Sequence, residues 1–179
     1  IVWERKIPLN NGINKDRVFE NAMQFHGKMI VFTSSARSAE KKQYAWAQVL
    51  STEGILGKAV KVDEMPEEFY RDAGSFNFTL SADSMHILAY HREPQRGDDP
   101  MVVSFSLIDR NLGVLWNKKL QYPEEEEVRI EKYLAAGDHL LVLSRRNNKS
   151  EGQTRRLWFV QHYDAEMDEQ NEFEIYTEA

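Results

Sequence analysis

Apolar and polar residues along this chain fall into three repeats of one pattern. Each repeat holds a short strand, a small turn, an apolar run, a polar loop, an alternating strand, a turn and a last strand. The apolar runs mark the beat: Met29-Ile30-Val31-Phe32, Ile87-Leu88-Ala89-Tyr90 and Leu140-Leu141-Val142-Leu143. Ile30 and Leu88 are 58 residues apart, and Leu88 and Leu141 are 53 apart. Within the third strands, Tyr44-Ala45-Trp46-Ala47-Gln48-Val49 and Val103-Ser104-Phe105-Ser106-Leu107 alternate with period two, which is the side-chain period of a strand. The second strand of each repeat is apolar on both faces, as a strand buried between neighbouring sheets must be. The pattern contains no long amphipathic helix; the nearest stretch, 63–72, reads as a short acidic crossover with room for one turn.

The repeats predict strands over 17–25, 28–34, 43–51 and 57–63 in the first unit. They predict 75–81, 85–91, 101–108 and 113–121 in the second, and 128–134, 139–145, 155–164 and 167–176 in the third. A four-stranded repeat of about 40–50 residues or slightly more is the signature of propeller blades. The expected fold is therefore all-β: repeated four-stranded antiparallel blades forming an incomplete portion of a β-propeller. Ile1-Val2-Trp3-Glu4-Arg5-Lys6-Ile7-Pro8 matches Val114-Leu115-Trp116-Asn117-Lys118-Lys119-Leu120. Residues 1–16 accordingly read as the last strand of a preceding blade plus a crossover. Blades follow at 17–66, 67–123 and 124–179, all in one propeller domain. Rings close with about four to eight blades, so the remaining blades of a longer chain are expected.

Composition narrows the chemistry. The chain has 179 residues, 41% of them hydrophobic, enough for a packed core, and a formal charge of −6. That charge argues against nucleic acid as a partner, because phosphate binding needs a basic field. Cysteine is absent, which excludes disulfides, thiolate metal sites and cysteine nucleophiles. No apolar stretch reaches the length that crosses a bilayer as a helix. There is no G-x-S-x-G elbow, P-loop or other Gly-rich phosphate loop, and no catalytic residue or cofactor is assigned.

Phe78-Thr79-Leu80-Ser81-Ala82-Asp83-Ser84-Met85-His86-Ile87-Leu88-Ala89-Tyr90 resembles the inner hairpin of TolB-type and WD-type propellers, a Phe followed by Ser-Pro-Asp-Gly and an apolar strand. Ser81 and Asp83 match that motif, whereas Ala82 stands for the Pro and Ser84 for the Gly. The Asp109–Trp116 hairpin and the long charged loops are similar to those of large secreted or envelope-associated propeller proteins of Bacteroidota. That resemblance implies a periplasmic or extracellular location.

Of the five histidines, His86 and His139 fall at the starts of second strands and His26 in the turn before one. Facing one end of a ring they have the residue type for a metal, but no HExxH spacing or carboxylate cluster accompanies them, so all five read as turn or surface residues. Asp83, Asp109 and Asp164 sit at turns, where carboxylates accept backbone N–H groups. Trp3, Trp46, Trp116 and Trp158 lie in strands and read as packing between blades. The loops joining second to third strands emerge on one side of the ring, and binding concentrates in loops on a rigid scaffold. Their basic residues are the candidate contacts: Arg37, Lys41, Lys42, Arg92, Arg96, Arg146 and Lys149. The run Glu124-Glu125-Glu126-Glu127 is a candidate acidic docking patch, set in a solvated crossover. The leading expectation is a non-catalytic scaffold for protein–protein contact in a bacterial envelope assembly. The alternatives are the accessory propeller of a multidomain hydrolase, gating its substrate, and a glycan-binding propeller.

Overall fold

The computed structural model describes residues 7, 9, 17–37, 39–66, 75–94, 100–122, 128–137, 139–150, 153–164 and 170–175. Among them are twelve strands and no helix. Strands β1 (Val18–Phe25), β2 (Lys28–Arg37), β3 (Lys42–Leu50) and β4 (Val60–Pro66) form sheet 1. Strands β5 (Asn77–Leu80), β6 (Ile87–Arg92), β7 (Met101–Ile108) and β8 (Val114–Tyr122) form sheet 2. Strands β9 (Val128–Ala136), β10 (His139–Ser150), β11 (Gln153–Tyr163) and β12 (Gln170–Ile175) form sheet 3. Every sheet is an antiparallel meander in chain order. Of the strand expected within residues 1–8, only Ile7 is described, outside any strand; the rest lies outside the described residues.

Local chemistry explains the turns. His26 and Gly27 both have positive φ, 45° and 73°, the left-handed pair that lets a two-residue hairpin match strand twist. Ser84 stands at φ 57°, in the left-handed region that favours Gly. Its strain is held by Asp83, whose Oδ1 accepts the Ser81 hydroxyl at 2.5 Å and the Met85 N–H at 2.9 Å. Asp109 does the same for the N–H groups of Asn111 and Gly113, at 2.8 and 2.7 Å.

Register shows that the three sheets are built alike. Ile30 lies opposite Val49, Leu88 opposite Leu107 and Leu141 opposite His162. Two residues on, Phe32 lies opposite Ala47, Tyr90 opposite Phe105 and Leu143 opposite Val160. In sheet 1 this leading face packs on Phe76, Phe78, Ile87 and Ala89 of sheet 2. In sheet 2 it packs on Ala135, Leu140, Val142 and Tyr163 of sheet 3. Phe32 and Phe78 stack across the first seam with ring centroids 3.9 Å apart. Two backbone acceptors tie the sheets further: Asn21 Nδ2 donates to Phe78 O at 3.3 Å, and the Ala82 N–H to Ala135 O at 2.7 Å.

The opposite, trailing face has a buried polar centre in all three sheets. Gln48, Ser106 and Gln161 occupy one equivalent position, and Thr33, His91 and Ser144 another; all six are buried. Buried polar groups need partners. Gln48 accepts from Arg17 Nη1 at 2.6 Å and donates to Gly57 O at 2.8 Å; Gln161 donates to Glu172 at 3.0 Å.

The structure corrects two loops. Residues expected in loops over 35–42 and 146–154 are half strand in the first case and mostly strand in the second: β2 runs to Arg37, β3 starts at Lys42, and β10 and β11 continue to Ser150 and Gln153. Their ladder is unbroken from Leu140–Tyr163 to Ser150–Gln153. Backbone pairing in a two-stranded extension needs no apolar alternation, so polar side chains there hid the strands. Of the loop expected over 92–99, Arg92 is the last residue of β6, and residues 95–99 lie outside the described residues.

Candidate functional site

The basic residues singled out by the sequence do not form one free patch. Arg37 closes β2 and pairs with Glu40 at 3.0 Å. Lys42 opens β3 and pairs with Glu64, which Lys61 also holds at 3.0 Å. Arg37 and Lys61 flank the Tyr44 ring, at 5.7 and 5.4 Å from its centroid, while the Tyr44 hydroxyl donates to Glu40. Lys42 and Lys61 keep the Glu64 carboxyl below its ordinary range, and Glu64 in turn raises Lys42. Lys41 occupies the turn at φ 50° and is exposed. Arg146 lies within β10, where it reaches across β11 to Glu172 of β12 in a two-pronged bond of 3.0 and 2.5 Å over the Phe159 ring. It is a strand clamp rather than a loop contact. Lys149 is also placed on β10. Arg96 and the acidic residues Glu124, Glu125, Glu126 and Glu127 lie outside the described residues.

One histidine departs from the surface reading. His91 is 0% exposed and sits on the trailing face of sheet 2, its ring edge-on to Phe76. Its Nδ1 lies 3.0 Å from Asp63 Oδ2 on β4 of sheet 1, and Asp63 Oδ1 accepts the Glu64 N–H at 2.8 Å. This buried pair crosses the seam between two sheets. Its signal was not local, since the two residues are 28 positions apart in different repeats. Ser104 faces His91 across the β6–β7 ladder, but its hydroxyl donates to Glu93 at 2.8 Å. With Ser and His not bonded to each other, Asp63, His91 and Ser104 lack the relay geometry of a nucleophilic triad. They are a structural clamp. Burial works against the Glu93 carboxylate, but Lys119 and Ser104 outweigh it and hold the group below its ordinary range.

His139 Nδ1 lies 3.1 Å from His162 Nε2, and among the described residues no group of three His, Cys, Asp or Glu side chains is placed to hold a metal. Trp116 packs into the core between sheets 2 and 3, whereas Trp46 lies under Arg17, 5.0 Å from its ring centre.

Among the described residues, two clefts and one apolar face stand out. A groove of about 560 Å³ runs between sheets 1 and 2, with Lys42, Lys61, Glu64, Lys118 and Lys119 on its rim. A smaller cleft of about 320 Å³ lies between sheets 2 and 3, with Arg92, Arg129, Tyr90 and Tyr133 around it. The third feature is the leading face of sheet 3. Leu141, Leu143 and Val160 occupy the places that are core in sheets 1 and 2, yet they belong to neither core. Beside them on β12, Phe173 is 59% and Ile175 42% exposed.

No family model, curated protein or solved structure matches this chain.

Proposed function

We propose that the chain is part of a non-catalytic β-propeller that works by protein–protein contact. The observation that carries this reading is the leading face of sheet 3. It repeats, position for position, the two faces that sheets 1 and 2 bury against their neighbours. Its expected occupant is a further four-stranded blade of the same ring, presenting a trailing face with a small, polar centre as sheets 2 and 3 do. Blade stacking supplies rigidity, and the outer strands stay available to partners. The resemblance to envelope-associated propellers supports an assembly of the bacterial envelope as its setting.

Hydroxyl-radical footprinting of the native polypeptide, with its native mass, tests the reading. Trp158 and Phe173 are expected to resist labelling as the buried Phe32 does, while the exposed Phe19 and Leu115 label fast. A native mass near 20.9 kDa with Phe173 as reactive as Phe19 would overturn it.

A further inference from the structure

The groove between sheets 1 and 2 is lined by six consecutive residues of β4, Lys61 to Pro66. Side chains of a strand alternate between its two faces, so a cavity that meets both sets runs along the strand's edge. β4 is the last strand of sheet 1 and β8 the last strand of sheet 2. Asn117, Lys118 and Lys119 of β8 line the opposite wall. The groove is thus bounded by two outer strands whose outward edges pair with no strand among the described residues, over a floor of Val62, Met65 and Phe105, all buried.

Its rim is basic although the whole chain carries −6. Four lysines, Lys42, Lys61, Lys118 and Lys119, face two carboxylates, Asp63 and Glu64. Asp63 is turned onto His91, and Glu64 is shared by Lys42 and Lys61. Lys119 is held by Glu93, whereas Lys118 has no ion pair among the described residues. We propose that this groove binds an extended, acidic segment of a partner protein, which adds as a strand to the free edge of β4. The seven residues of β4 offer roughly 20 Å of backbone for such pairing. The strand also carries an extra residue at Val62, where the register shifts between Ala45 and Trp46. A bulge and edge lysines discourage pairing between like edges. Here they act as a filter, rejecting basic strands and admitting acidic ones.

The proposal rests on the contact-platform reading and names the surface and the partner chemistry. Its test is fluorescence anisotropy on the native polypeptide. The probe is a fluorescein-labelled heptapeptide of alternating Glu and Thr, set beside its Lys-for-Glu counterpart. Two further forms carry N-methyl groups on alternate amides, one on each edge of the peptide. The Glu peptide is expected to bind, the Lys peptide about tenfold or more weaker, and Lys118→Glu to weaken the Glu peptide about tenfold with an unchanged melting curve. One methylated form should lose binding, because its donors are the ones that reach β4. Equal binding of the Glu and Lys peptides would overturn the proposal, as would full binding by both methylated forms, indifference to Lys118→Glu, or no binding at all. Failure here with Phe173 and Trp158 protected in footprinting sinks the groove alone; unprotected residues sink the platform reading with it.

Discussion

Replacing Asp63 by Ala tests the clamp between sheets 1 and 2. The carboxylate makes two bonds, to His91 Nδ1 at 3.0 Å and to the Glu64 N–H at 2.8 Å. His91 Nε2 already has no partner among the described residues, so the variant leaves a fully buried imidazole unpaired at both nitrogens. A stranded buried polar group costs about 1–3 kcal/mol, and the lost backbone bond adds about 1 more. The expected destabilisation is therefore about 2–4 kcal/mol. His91→Phe leaves the converse fault, a buried carboxylate with only one of its two partners, at about 1–3 kcal/mol. Combining Asp63→Ala with His91→Phe removes both partners, and should cost at least about 1 kcal/mol less than the two single losses together. Urea unfolding of the native polypeptide, followed by tryptophan fluorescence at fixed pH, reads all the variants. Single losses under about 1 kcal/mol, or effects that add to within about 0.5 kcal/mol, would refute the argument that this pair joins the sheets.

Phe32→Ala should cost about 3–5 kcal/mol in the same assay, because Phe32 is fully buried and stacked on Phe78 and its removal opens a cavity at the seam. Phe19→Ala, at an exposed site, serves as the control and should stay within about 1 kcal/mol; equal losses would contradict the placement of the core. Burial raises the hydroxyls of Tyr122, Tyr133 and Tyr163 above their ordinary value. The unfolded chain releases these protons near pH 10 while the folded chain keeps them. Stability is therefore complete below about pH 10 and falls above it, as the unfolded chain loses protons that the folded chain retains. Unfolding midpoints taken through this range, with Tyr122→Phe flattening the decline, check the sign; a midpoint constant to pH 12 would contradict it.

The apolar runs were legible because a strand packed on both faces has little choice of residue. Ile30, Leu88 and Leu141, counted off as equivalents from spacing alone, hold equivalent places in the ladders. The turn at Ser81–His86 was legible too, since Ser81 and Asp83 are a local hydrogen-bonding pair. What could not be read was held together by backbone or by distant partners. Arg146 lies in a polar stretch with no alternation, and it became a clamp only when β12 brought Glu172 beside it. Lys42 looked like a loop cation until β4 supplied Glu64. His91 sits in an apolar run, and nothing near it in sequence announces Asp63. The groove was invisible for the same reason: it is made of edges, and edges belong to the arrangement of strands rather than to any one of them.

The two unlike faces of each sheet give the stack a direction. A leading face meets a trailing face at both seams described, never another leading face. A unit copied in tandem therefore arrives with a fitting surface on each side, whatever its neighbours. Gene duplication can lengthen such an array, or deletion shorten it, without any new interface having to evolve. Reversal is a different matter, because an inverted unit would bring two polar centres together at one seam and two apolar faces at the next.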